Sequence, residues 1–304
     1  MKDFGMEKKH LWLRVYVPLL LLLTTAAVVL RTVALLLDYS FEEDIFVNST
    51  LITVAGALCA VAAVFGLSYV VNKETDSGLV PRFSGAYSYI PGAIVAISLL
   101  YFAISLFTSP DAPKAASGPA SGLGTVLITL APILALVSII YFVLNVTATE
   151  RTSTPRALAA LAVALFLALY SVTLFLTDSR LINAESRILD QMSFILAAVF
   201  FLFEARLSLG RDFWRGYAAF GMAAAALTAY ASIPSIIVYF LRGGTLSLSL
   251  YGAVLIFALF IYIIAHVCAM MNLQSDKECA LASAINAQYA NETEDTEQSE
   301  GETE

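Results

Sequence analysis

Charge is scarce along this chain, and the residues that build most catalytic centres are scarcer still. Only 13% of the 304 residues are charged, against 59% that are hydrophobic. A soluble domain carries about a quarter of its residues as charged side chains, so composition excludes an ordinary water-soluble fold. Cys59, Cys268 and Cys279 show no CxxC spacing and no even-numbered framework, which argues against a disulfide scaffold or a zinc site. They read as small buried hydrophobes and one tail thiol. The two histidines, His10 and His266, lie far apart. HExxH, GxSxG and P-loop patterns are absent, and so are paired carboxylates within the apolar runs. We therefore expect no enzyme activity, cofactor or metal site, and no buried acidic residue.

Negative charge, in turn, is missing from most of the chain. The net charge of -7 is concentrated after Ser275, where nine acidic residues face a single lysine, Lys277. The body is close to neutral, and no basic surface of the kind that binds nucleic acid is visible.

What is abundant is long apolar sequence. A helix needs about 20 apolar residues to cross the hydrocarbon core. Eight runs approach that length: Val15 to Leu37, Thr50 to Val71, Ser88 to Phe107, Gly124 to Thr147, Ala157 to Leu176, Arg187 to Phe203, Tyr217 to Leu241 and Leu250 to Met271. The sixth is the weakest, because its uninterrupted core begins only at Met192; its helix must extend past charged ends or sit against protein. The first is too long for a typical cleaved signal peptide and reads as a retained span. The expected fold is an all-α, polytopic transmembrane helix bundle of about eight spans.

Cationic loops stay cytoplasmic. With the amino terminus inside, twelve lysines and arginines fall on the inner side, including Lys8, Lys9, Arg14, Lys73, Arg151, Arg206, Arg211 and Arg215, and five on the outer: Arg31, Lys114, Arg180, Arg187 and Arg242. Both termini are thus expected in the cytoplasm. The chain divides into a basic amino terminus (1–14), a membrane bundle (15–272) and an acidic, largely disordered tail (273–304). A weak helix over 277–290 precedes the low-complexity end of that tail. TSPDAPKAASGPASG, starting at Thr108, reads as an outer tether. Of the sequons, only Asn48 would face outward. YSYIPGAI and YASIPSII are similar, but their flanking helices do not align into a repeat.

The seventh run carries the clearest pattern. Gly221, Ala225, Thr228, Ser232, Ser235 and Tyr239 recur at intervals of four and three, placing a small, polar stripe on one helix face. Small residues let helices approach closely in lipid, so this helix belongs at the centre of the bundle. Pro234 breaks it and exposes a carbonyl about a turn earlier. Either neighbours satisfy that carbonyl, or Thr228, Ser232 and Ser235 form a site for a neutral solute. His266 follows Tyr262 by one turn, so the two can touch, and His266 reads as a packed, hydrogen-bonded histidine. Arg31 shares a face with Asp38. It is expected to pair with Asp38 or with an outer acid such as Glu42, Glu43, Asp178 or Glu185; the sharper alternative is an outer vestibule for an anion. Glu204, Arg206, Arg211, Trp214 and Arg215 are read as an amphipathic inner loop, with docking or a gate salt bridge through Glu204 as the alternative.

FEARLSLGRDFWRGYAAFG, followed by SIPS, resembles a pattern of multi-span bacterial membrane proteins that carry no assigned activity. The resemblance covers the sixth and seventh runs and implies nothing about chemistry. The function expected is a non-enzymatic sensory, scaffolding or partner-docking module of the cell membrane, the cytoplasmic membrane if the host is bacterial. Its partners would be the lipid bilayer and a membrane protein or a second copy of the chain. The alternative is a permease or channel component for a neutral or weakly polar solute.

Overall fold

Chain segments this apolar can satisfy their backbone in lipid only as helices, and helices are what they form. The computed structural model describes residues 11–40, 45–46, 49–71, 86–108, 121–147, 153–177, 185–209, 214–243 and 249–272. The amino-terminal lysines and His10, Glu42, Glu43, Asn48, the 109–120 part of the tether, Asp178, Arg211, Cys279, the 277–290 helix and the acidic tail lie outside those residues.

The elements are α1 (Leu11–Leu37), β1 (Tyr39–Ser40), β2 (Ile45–Phe46), α2 (Thr50–Ser68) with a 3-10 turn Tyr69–Val71, α3 (Ala86–Thr108), α4 (Ser121–Thr147), α5 (Thr154–Thr177), α6 (Glu185–Ser208), α7 (Trp214–Arg242) and α8 (Leu250–Asn272). Among the described residues, all eight α-helices are long and apolar enough to cross a membrane, which marks a multi-pass membrane protein. The two short strands, not foreseen from the sequence, pair antiparallel, Tyr39 opposite Phe46. They pack beside Leu35 of α1 and Val238 of α7.

Helices α3 to α8 each touch the next, and α3 closes onto α8, making a ring of six. The α1–α2 pair lies outside that ring against α7. Tyr16, near the start of α1, stacks on Phe65, near the end of α2, at 4.3 Å, so the pair is antiparallel. We call the end bearing Leu11 and Asn272 the terminal end and the other the far end.

Aromatic side chains fill the ring. Towards the far end, Phe102 of α3 lies edge-on to Tyr170 of α5 (4.8 Å) and Tyr251 of α8 (5.6 Å), and Tyr170 meets Phe194 of α6 (5.1 Å). Towards the terminal end, Phe142 of α4, Phe201 of α6 and Tyr262 of α8 interlock with centroids 5.3 to 6.0 Å apart. Edge-to-face contacts at these separations are favourable and fix each ring's orientation. The outer surface is apolar as well: Leu22, Ile97, Phe107, Leu158 and Phe240 are each more than 60% exposed. Side chains of that kind are stable facing lipid and costly facing water.

Helix α7 sits between the ring and the outer pair, in contact with α1, α2, α6 and α8. From Gly216 to Ala226 nearly every residue is buried, whichever way it points. Its small residues permit this. A Cβ on Gly66 of α2 would stand 2.9 Å from the Met222 Cβ and 3.2 Å from the Ala223 nitrogen; one on Gly221 would stand 2.8 Å from Val267 of α8.

Helix α6 is longer than the apolar run within it. It begins at Glu185 and continues through Glu204 to Ser208, with Arg187, Asp190 and Glu204 buried and Ile188, Ile195 and Leu202 exposed. The charges fall on the protein-facing side and so do not stop the helix. This corrects two expectations. Acidic residues are buried, at Asp190 and Glu204. The supposed inner loop is mostly helix, with Glu204 and Arg206 in α6 and Trp214 and Arg215 opening α7.

Candidate functional site

Among the described residues, a polar centre lies within the helices towards each end. The terminal centre is built on α6. Glu204 is 2% exposed, and its Oε2 accepts a 2.8 Å hydrogen bond from the Tyr217 hydroxyl of α7. Its Oε1 stands 3.9 Å from Nη2 of Arg156 in the first turn of α5. That turn opens with Thr154 and Pro155, a common helix start, and the Ser153 amide before it donates to the Ser208 carbonyl at 3.0 Å. The start of α5 is thereby pinned to the end of α6, which brings Arg156 to Glu204.

Beside this pair, the Tyr262 hydroxyl accepts from Asn145 Nδ2 at 3.1 Å and shares a 3.1 Å hydrogen bond with the Tyr141 hydroxyl. Tyr141 and Asn145 are one turn apart on α4 and so share a face. His266 lies over Tyr262, ring centroids 4.0 Å apart, with Nδ1 2.9 Å from the Tyr262 carbonyl oxygen. Five helices thus contribute to one buried network. Such a network is stabilising only when its members have partners, because an unpaired charge at this depth is severely penalised.

The far centre is built on Arg31, 2% exposed on α1. Its Nη1 donates to the carbonyls of Tyr230 (2.6 Å) and Ala231 (3.4 Å) on α7. Its Nε lies 3.4 Å from Oε1 of Glu185 at the start of α6, and its guanidinium sits 4.7 Å from the Tyr230 ring centroid. Arg242 at the end of α7 donates to the Leu36 carbonyl, a second tie between α7 and α1.

Thr228, Ser232, Ser235 and Tyr239 of α7 and Tyr262 and His266 of α8, the polar residues that a bundle-facing site would draw on, are not gathered in one place. Thr228 and Ser232 are buried, but their hydroxyls donate within their own helix, to Ala224 (2.6 Å) and Thr228 (2.6 Å); Ser235 does the same to Ala231 (2.7 Å). Tyr239 lies farther along α7 against Phe240. Tyr262 and His266 do touch, inside the terminal centre. The expected charge partners are met in part. Of the acids expected for Arg31, it meets Glu185 and not Asp38 on its own helix face, because the side chain points across the bundle to α6 and α7. Glu204 meets Arg156 instead of Arg206, which is exposed on the other side of α6.

Sequence reasoning missed Tyr141, Asn145, Arg156, Tyr217 and Tyr230. The four-residue spacing of Tyr141 and Asn145 is a usable signal, since it puts both on one face of α4. Among the described residues, no group of three or more histidine, cysteine, aspartate or glutamate side chains is placed to hold a metal ion. A shallow open groove lined by Leu21, Leu22, Thr25, Ala26, Val29 and Leu30 runs along α1.

No protein-family model, curated protein or solved structure matches the chain. Its functional reading therefore rests on its own geometry.

Proposed function

We propose that this chain is a non-enzymatic membrane module that senses, scaffolds or docks a partner, resident in the cell membrane with both termini in the cytoplasm. The observation that carries the reading is the interlocked aromatic filling of the six-helix ring, from Phe102, Tyr170 and Phe194 to Phe142, Phe201 and Tyr262. A path for a solute requires polar groups turned towards open space. Here the Thr228, Ser232 and Ser235 hydroxyls are turned onto their own helix, which leaves the permease reading with less support. The excess of lysine and arginine on the terminal side favours that side as cytoplasmic, where the acidic tail would meet soluble or membrane-bound partners.

Affinity capture of the full chain from its native membrane, with and without residues 275–304, tests the docking role. The expected result is loss of specific partners with the tail; an identical partner set would remove the tail from the proposal. Uptake measurements on T228V/S232A/S235A address the alternative, since a change in solute flux without a change in protein level would restore the permease reading.

A further inference from the structure

Proline at position 234 deprives α7 of the amide that would donate to the carbonyl four residues earlier, and that carbonyl belongs to Tyr230. The Tyr230 carbonyl is the one to which Arg31 donates at 2.6 Å. The same guanidinium reaches the Ala231 carbonyl at 3.4 Å, lies over the Tyr230 ring and ion-pairs with Glu185. Helix α7 runs on through Pro234, and the carbonyl left without its amide needs a substitute donor, because a bare carbonyl away from water is strongly penalised. Here the donor comes from a different helix, and from one that stands outside the ring.

We propose that Arg31 stands in for the missing amide of position 234, and that Arg31, the Tyr230 carbonyl and Glu185 form a latch between the α1–α2 pair and the ring. While closed, the latch holds α7 against α1 and α6. When Arg31 withdraws, the Tyr230 carbonyl is orphaned, the ion pair to α6 is lost, and α1–α2 can separate from α7 at the far end. Glu185 is the latch's least buried member, 34% exposed. This goes beyond the functional reading above and does not depend on it.

Cys59 of α2 is a native reporter. It is 3% exposed and packs in one cluster with Ala27, Val28, Ala55, Ala229 and Tyr230, the layer that the latch closes. In the full chain carrying C268A and C279A, its labelling by a membrane-permeant maleimide is measured in detergent and in vesicles. The expected result is slow labelling in the parent and labelling about tenfold or more faster in R31M, the scale set by losing a hydrogen bond from a charged donor. P234A returns an amide to position 234, so R31M added to P234A is expected to raise the rate by less than about threefold, since the carbonyl no longer depends on the arginine. E185Q breaks only the ion pair, and its effect is expected to be the same with and without P234A.

An equal acceleration by R31M in both backgrounds would overturn the substitution of Arg31 for the amide. Cys59 remaining protected in R31M would overturn the latch. Should R31M fail to accumulate, R31K keeps one donor but cannot span both carbonyls and Glu185; the same loss of effect in P234A is then required of it.

Discussion

Glu204 shows how a single residue can be expensive and still retained. Its carboxylate is buried among aromatic rings, where desolvation is costly, and it is held by one hydroxyl and one guanidinium. Removing one partner of such a pair strands the other charge. E204L is therefore expected to destabilise the protein by about 3–5 kcal/mol, whereas R156M/E204L, which removes both charges, should cost clearly less. Thermal unfolding of the purified variants in one detergent measures both. If the double variant is as unstable as the single one, or more so, the pair is not the unit that matters. The sequence placed Glu204 at a loop because the apolar run stops there. What it did not display is the rotational setting of α6, which turns Arg187, Asp190 and Glu204 inwards together.

The close approaches of α7 are a property of whole helices. Gly66 lets α2 lie directly on the backbone of α7, and Gly221 lets α7 lie against Val267 of α8 and Phe200 of α6. Gly122 at the start of α4 meets nothing within 4 Å. G66A should cost about 1–3 kcal/mol because the obstructing atoms include backbone, which cannot rotate away, while G122A should leave stability near that of the parent. Comparing the two by thermal unfolding separates crowding from any general effect of replacing helical glycine. The three-four rhythm of small residues in α7 was legible, as was its central place, because both follow from helical periodicity. The direction of each hydroxyl was not. Within a helix a serine or threonine can bond outwards or back to its own carbonyl, and sequence spacing is the same in either case. The eight spans were legible for a simpler reason, the length of apolar chain needed to cross lipid. Glu185 was one of five acids offered for Arg31, but its carbonyl partners on α7 and the partner of Arg156 were not legible, since they depend on how neighbouring helices are turned relative to one another.

At the scale of the whole molecule, the order of contacts divides the chain unevenly. Helices α3 to α8 form a ring that closes on itself, so each has two flanking neighbours without help from α1 or α2. The α1–α2 pair contacts the ring chiefly along α7, through the Gly66 approach, the Tyr230 layer, Arg31 and Arg242. Covalent continuity between residues 71 and 86 should then be dispensable for assembly. Two fragments, 1–78 and 79–304, co-expressed with a tag on one of them, are expected to co-purify in mild detergent. Association should fall by about tenfold or more with G66L, which forces a side chain into the α7 backbone, or with R31M, which removes the polar bonds at the joint, and change little with G122A. In lipid the hydrophobic effect does not drive helices together, so association must come from close packing and from polar bonds such as these. Fragments that fail to associate would mean that the α7 contacts are too weak to hold the pair. Fragments that associate equally well with G66L and with R31M would mean that some other surface holds it.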